Sequence, residues 1–484
     1  MTALWAFLLE YQTHLLFGVG LLVGLLATIH AAMTKRDVRA AIAWVGVVIL
    51  SPFFGAFLYF LVGINRINRS RRLQHNEYLL QEQVNGKHQV TTNIAEISGS
   101  QFESLKKAGN QLSRFPIWSN NDITPLPGGD EAYPAMIAAI DSATKTIAMQ
   151  SYIFDNDVVG KRIVQALVRA HQRGVTVKVL IDAIGAKYSR PSIISLFKNT
   201  GIDVALFEAH FFTFKMPYSN LRCHRKILVI DGQLAFSGGM NIRESFTSEI
   251  CRGEPMKDVH FQIRGPLVFQ LLLVFFHDWS FTTQEKLKPD LWILTPETLP
   301  ESNIAARCIT SGPDNDITST HRLIQAACAV AQKHIRIQSP YFLPDQVLLG
   351  ALNTAARRGI RVDILIPGNN NLYLVNCAMM AQLNQVLDAG CHVWRSNGPF
   401  DHSKLFTVDD GWALVGSSNW DARSLRLNFE VDIEVYDRPF STRIGQHIDR
   451  EIEKAIPITR ETLKSMSFIK QLRNKIIWLA SPYL

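Results

Sequence analysis

Two stretches decide the fold: "HRKILVIDGQLAFSGGMN" at residues 224–241 and "HSKLFTVDDGWALVGSSN" at residues 402–419. Each opens with His-x-Lys and reaches Asp at the same offset, giving His224, Lys226, Asp231 and His402, Lys404, Asp409. Each then runs into Gly-[Gly/Ser]-x-Asn, ending on Asn241 and on Asn419, with Ser417 in the second copy. Working outward, the surroundings repeat as well. "TIAMQSYIF" (146–154) answers "HIRIQSPYF" (334–342) through a shared Gln-Ser. "QRGVTVKVLID" answers "RRGIRVDILIP" (357–367) through a shared Arg-Gly, and "TGIDVALF" answers "AGCHVWR" (389–395). Helical patterns at 131–142, 158–173 and near 190–200 separate the strand-like runs of the first pass. Strand and helix alternating over short loops predict an α/β sheet covered by helices, made twice. The expected architecture is two α/β/α halves, 121–284 and 306–460, joined by a linker at 285–305. Pseudo-twofold symmetry puts one site where the two motifs meet.

In an extended segment, residues i and i+2 share a face, so His and Lys of each motif point into one pocket. Two copies surround one anion with two imidazoles, two ammonium groups and two Asn amides. That set suits a phosphate diester: cations and amides stabilise charge on the oxygens, one imidazole attacks phosphorus, and the other protonates the departing oxygen. The chemistry needs no metal and no cofactor. Each imidazole needs an orienting carboxylate, and Asp258 in "KDVHFQI" and Glu430 in "LRLNFEVDIEV" are the candidates. Asp231 and Asp409 fall an odd number of positions from His, so they read as salt-bridge or turn acceptors.

Composition points to a membrane. Hydrophobic residues make up 47% of 484 residues against 19% charged, with a net charge of +8. The apolar surplus sits early, in "LLFGVGLLVGLLATIHAAM" (15–33) and "AAIAWVGVVILSPFFGAFLYFLVGI" (40–64), both free of Lys, Arg, Asp and Glu. Each is long enough to cross a bilayer, which takes ~20 helical residues, so residues 1–64 are expected to form a two-helix anchor, with Pro52 able to kink the second or turn it back. With both runs crossing, the body shares a side with the N-terminus, and four basic residues (Arg66, Arg69, Arg71, Arg72) face three in the loop (Lys35, Arg36, Arg39). That margin favours a cytoplasmic body. Residues 65–120 read as a connection. The six cysteines form no CxxC pair, as expected of free thiols in a reducing compartment.

The doubled HxKxxxxD…G[GS]xN pattern resembles the phospholipase D superfamily. With the apolar start, "HRKILVIDG" and "GSSNWDARSLRLNFE", nearly the whole chain is similar to the bacterial cardiolipin synthases. The resemblance implies two phospholipase D-like halves behind a transmembrane hairpin in the bacterial cytoplasmic membrane. It implies transfer of a phosphatidyl group between two phosphatidylglycerols, giving cardiolipin and glycerol through a phosphohistidine. His224 would be the nucleophile and His402 the general acid, then base. Lys226, Lys404, Asn241, Asn419 and Ser417 would hold the phosphate. Glu430 would steady His224, and Asp258 would steady His402. The residues alone leave open which histidine attacks.

The same chemistry serves hydrolases, transferases to other alcohols, and nucleases. Anionic phospholipid is the expected partner rather than nucleic acid, since no aromatic–basic interleaving suited to stacked bases accompanies the motifs. Apolar residues at 211–218 and the helix-like "LVFQLLLVFFHDW" (267–279) are candidate lipid contacts, although a helix as apolar as the second reads first as core, and a third candidate is the C-terminal 461–484. The last places Phe468, Leu472, Ile476 and Leu479 on one face, with Lys470, Arg473 and Lys475 largely elsewhere, a basic amphipathic segment.

Overall fold

The computed structural model describes residues 2–35, 38–64, 93–207, 222–251, 253–292, 300–302, 304–312 and 318–481. The apolar 211–218 segment lies outside the described residues, as do residues 65–92 of the connection. The chain divides into two units, the N-terminal helices and the body.

In the N-terminal unit the helix Thr2–Thr34 contains a 24-residue apolar segment, Tyr11–Thr34. It is the one helix among the described residues long and apolar enough to cross a bilayer. The second apolar run is not one helix. Val38–Leu50 stops at Ser51, and Pro52, which lacks the N–H needed to continue the ladder, starts a new helix, Pro52–Leu58, that widens into a π turn at Tyr59–Gly63. The two arms double back on each other: a Cβ on Gly55 would lie 2.5 Å from the Val47 carbonyl oxygen. Phe53 packs on Gly20 and Pro52 on Gly24, while Lys35 Nζ donates to the Gly63 carbonyl and Tyr59 Oη lies 2.7 Å from His30 Nδ1. The tip of this hairpin therefore reaches Gly20–Gly24, and both its ends lie near Lys35.

In the body, each half lays seven strands in the same order. From the centre outward the first half has Trp118–Pro127, Val259–Arg264, Leu234–Gly238, Ile227–Ile230, Thr146–Ser151, Thr176–Asp182 and Asp203–Phe207. The second half has Ile304–Ser311, Asn428–Tyr436, Trp412–Gly416, Leu405–Val408, His334–Gln338, Arg361–Ile366 and His392–Arg395, with Ile456–Ile458 added at its edge. The two innermost strands pair antiparallel, so the halves share a continuous sheet. Helices such as Val158–Gln172 and Gln346–Arg357, N-capped by Asp157 and Asp345, bury their apolar faces on it.

Three expectations are corrected. The stretch near 190–200 forms only the short 3-10 turn Ile193–Phe197, because Asn199 and Gly201 take left-handed backbone (φ 61° and 79°) that ends any helix there. Trp118–Pro127 begins inside the stretch read as a connection, and Ile304–Ser311 begins inside the stretch read as a linker. Both are central strands. The sequence "WSNNDITPLP" hides the first, because its polar side chains serve the seam: Asn121 Nδ2 donates to the Trp118 carbonyl (2.7 Å) and across the seam to the Ile304 carbonyl (3.0 Å). The apolar helix Leu267–Thr283 is core, buried along Leu267–Trp279. At the other end, the helix Phe468–Trp478 tucks Ile477 and Trp478 against the second-half core and leaves Phe468, Ile469, Leu472 and Ile476 exposed.

Candidate active site

Each motif enters the site bound to a strand of the other half. Arg222–Cys223 pairs parallel with Asn428–Phe429, and the His224 N–H donates to the Phe429 carbonyl at 2.9 Å. In the same way Lys257 bridges Asp401, and the His402 N–H donates to the Lys257 carbonyl at 2.7 Å. The strand that holds each histidine backbone also carries the carboxylate for its ring. His224 Nδ1 lies 2.9 Å from Glu430 Oε2, and His402 Nδ1 lies 2.8 Å from Asp258 Oδ2. All four side chains are buried, and the ring centroids are 6.5 Å apart. Both rings line one cavity of about 390 Å³. With Nδ1 engaged, Nε2 of each ring is left for that cavity.

The two carboxylates are not equivalent. Glu430 Oε2 also accepts from Ser417 Oγ (2.6 Å), and Oε1 accepts from Asn428 Nδ2 (3.2 Å). Burial acts to raise its pKa, but His224, Lys226 and Ser417 outweigh burial and hold it below its usual value. Asp258 accepts from the Val259 N–H (2.8 Å), and burial pushes its pKa up to about 7. A local cause separates them. A Cβ at Gly239, the position matching Ser417, would stand 2.7 Å from Asp258 Oδ1, so the first half has no room for that hydroxyl. Burial also lowers both imidazoles, His224 to about 4, so the rings rest neutral.

The lysines sit differently from the expected shared face. Strand geometry begins only at Ile227 and Leu405, so residues 224–226 and 402–404 are irregular. Lys226 Nζ donates to the His224 carbonyl (2.6 Å), and Lys404 Nζ donates to the His402 carbonyl. Neither is among the described residues lining the cavity, although both are buried, which lowers their pKa values to about 7 and about 8.

Asn241 and Asn419 do line the cavity. Asn241 Oδ1 accepts from the Ile153 N–H (3.2 Å), which leaves its NH2 group for an anion. Asn419 Nδ2 lies 3.1 Å from Ser424 Oγ, and its Oδ1 is buried without a partner. Turning that amide over lets Ser424 donate to Oδ1 and aims NH2 at the cavity, as in Asn241. Ser417 does not reach the cavity: its hydroxyl is committed to Glu430 and its carbonyl oxygen lies 3.1 Å from His224 Nδ1. Asp231 and Asp409 are away from the cavity too. Each sits at positive φ in a hairpin turn and accepts backbone N–H groups, from Lys145 and Thr146 (2.8 Å each) and from Gln332 (2.6 Å) and Lys333 (2.7 Å). They tie the motif hairpin to the start of the neighbouring strand. Sequence reasoning passed over Arg222, Arg243 and Asp421, which also line the cavity and carry no motif signature of their own.

A family model described as "Cardiolipin synthase, PLD-like domain" matches residues 136–250 and 324–454, and one described as "Phospholipase_D-nuclease N-terminal" matches residues 22–63. The chain is 30% identical over 484 residues to cardiolipin synthase A of Pseudomonas entomophila strain L48, covering 98% of this chain and 100% of that one. It is 30% identical over 478 residues to cardiolipin synthase A of Pseudomonas aeruginosa strain LESB58, covering 98% and 96%. Phosphatidylserine synthase of Haemophilus influenzae Rd KW20 shares the fold, with a TM-score of 0.60 at 16% identity over 79% of this chain and 100% of that one. The duplicated cross-braced halves and full-length relatives agree: the chain belongs to the cardiolipin synthase family of the phospholipase D superfamily.

Proposed function

We propose that this chain is a cardiolipin synthase, moving a phosphatidyl group from one phosphatidylglycerol to the glycerol head of another. The observation that carries the reading is the pair of buried imidazoles, cross-braced and facing one cavity, in a chain with full-length cardiolipin synthase relatives. His224 Nε2 attacks phosphorus, the P–O bond to glycerol breaks, and protonated His402 gives its proton to the departing oxygen. A second phosphatidylglycerol hydroxyl then attacks, its proton returns to His402, and the P–N bond breaks. Atoms and charge balance without a co-reactant. His402 rests neutral because burial and two lysines oppose its charge, and a bound phosphate diester anion supplies the compensating charge that favours its protonated form.

The purified full chain in phosphatidylglycerol vesicles is expected to yield cardiolipin and free glycerol in equal amounts, read by lipid chromatography and a glycerol assay. Phosphatidic acid as the main product would make it a hydrolase instead.

The broken second run supports a membrane arrangement with one crossing. Its arms of 13 residues (Val38–Leu50) and 12 residues (Pro52–Gly63) are each ~20 Å long, short of the ~30 Å hydrocarbon core. With both ends near Lys35, the hairpin is read as re-entrant, which leaves Tyr11–Thr34 as the crossing helix among the described residues. Lys35, Arg36, Arg39, Arg66, Arg69, Arg71 and Arg72 then share one side, against no Lys or Arg in residues 1–14. The positive-inside rule makes that side cytoplasmic and sets the body there. In a Cys251→Ser background, a cysteine at Thr2 is expected to react with an impermeant maleimide on intact spheroplasts, and one at the exposed Ser248 only after lysis. Protection of both positions would restore two full crossings.

A further inference from the structure

The two halves match residue for residue through the motif histidine and asparagine, then part company immediately outside them. Two positions before the histidine stands Arg222 in the first half and Phe400 in the second. Two positions after the asparagine stands Arg243 in the first half and Asp421 in the second. All four line the cavity. The first-half flank therefore carries two arginines, where the second-half flank carries an aspartate and an arginine. On the other flank Arg423 lines the cavity beside Asp421, whose pKa burial raises to about 6 against the opposing pull of that arginine.

Arg243 is held for a purpose beyond packing. Its Nε donates to Asp155 Oδ2 at 2.9 Å, its Nη2 is ion-paired to the same oxygen at 2.7 Å, and its guanidinium lies 5.9 Å from the Tyr188 ring centroid. Those contacts fix the plane while the side chain keeps 25% of its surface exposed. A fixed guanidinium at a cavity wall is suited to a phosphate oxygen pair.

The imidazoles, asparagines and buried lysines already account for one phosphate, the one that reacts. A reaction between two phosphatidylglycerols brings a second, one glycerol length beyond the attacking hydroxyl. We propose that Arg222 and Arg243 form the binding site for the acceptor lipid's own phosphodiester, so that this flank selects an anionic acceptor over water and neutral alcohols. The inference rests on the cardiolipin synthase reading. The same flank adds to the unequal carboxylates in distinguishing acceptor from donor: two arginines stand on the first-half side, against Asp421 and Arg423 on the other.

The test uses the full chain in phosphatidylglycerol vesicles with labelled glycerol in the water. Label entering phosphatidylglycerol reports donor cleavage and return to a neutral acceptor; cardiolipin reports transfer to the anionic one. Arg243→Ala and Arg222→Ala are expected to lower the ratio of cardiolipin to exchanged label about ten- to a hundredfold, the scale of a lost charge-assisted contact, and Arg243→Lys to recover part of it. A ratio equal to that of the unmodified chain, or both products falling together in the alanine and lysine variants alike, would overturn the acceptor site. An unmodified chain that exchanges glycerol but makes no cardiolipin would instead overturn the functional reading on which the site rests.

Discussion

His224→Ala and His402→Ala each lower cardiolipin formation by about 10⁴-fold or more, and the double variant loses little beyond either one, because residues that act as a unit are not additive. The geometry dictates the shared loss. The rings sit 6.5 Å apart, centroid to centroid, across one cavity, so both act on one phosphorus atom. The two variants differ in how they fail. A phosphatidyl donor with a nitrophenol leaving group needs no proton from an acid, so His402→Ala is expected to release a burst of nitrophenol and then stall as phosphatidyl-His224. His224→Ala gives no burst, because nothing accepts the phosphatidyl group. Mass spectrometry of the quenched protein locates the adduct. An adduct on His402 in the His224→Ala variant would exchange the two roles, and a near-normal rate in either single variant would break the shared-site reading altogether.

The parts of this site that were legible in the sequence are those fixed by periodicity. Two HxKxxxxD runs, each inside "ILVI"-like or "LFTV"-like strands, announce two buried hairpins, and the repeated Gln-Ser and Arg-Gly pairs announce the repeated sheet. The central seam strand was hidden because its polar residues satisfy the backbone across the join, as Asn121 does, so burial there does not look apolar. The break in the second apolar run is marked in the sequence by Pro52 alone. Hydropathy counts the residues on either side of Ser51-Pro52 alike and is blind to the turn between them. Lys226 and Lys404 were assigned to the site by spacing, but the backbone leaves strand geometry before reaching them, and their ammonium groups turn to the histidine carbonyls. Arg222 and Arg243 lie outside any periodic pattern. Their meaning comes from a comparison of the two halves, where Phe400 and Asp421 take the matching places.

Glu430→Gln and Asp258→Asn should separate two roles that look alike in the sequence. Phosphorylated His224 carries a positive ring, and the carboxylate on its Nδ1–H must be charged to stabilise it. Glu430 meets that need, since Ser417, Lys226 and the His224 contact hold its pKa below the ordinary glutamate value. Replacing it with Gln keeps the shape and removes the charge, with an expected loss of about 10²–10⁴-fold in kcat/KM. Because the carboxyl is ionised throughout, that loss is constant from about pH 6 to pH 8. Asp258 behaves otherwise. Burial raises its pKa to about 7, so below that pH the carboxyl is largely neutral and Asn is a close mimic, whereas above it the carboxylate is charged and Asn is not. The penalty for Asp258→Asn is therefore small at about pH 6 and grows as pH rises through 7. Ratios of kcat/KM for the two variants across that range measure both slopes. A penalty for Asp258→Asn that stays flat while that for Glu430→Gln climbs would reverse the assignment of the permanently charged partner, and with it the assignment of the histidine that carries the phosphatidyl group.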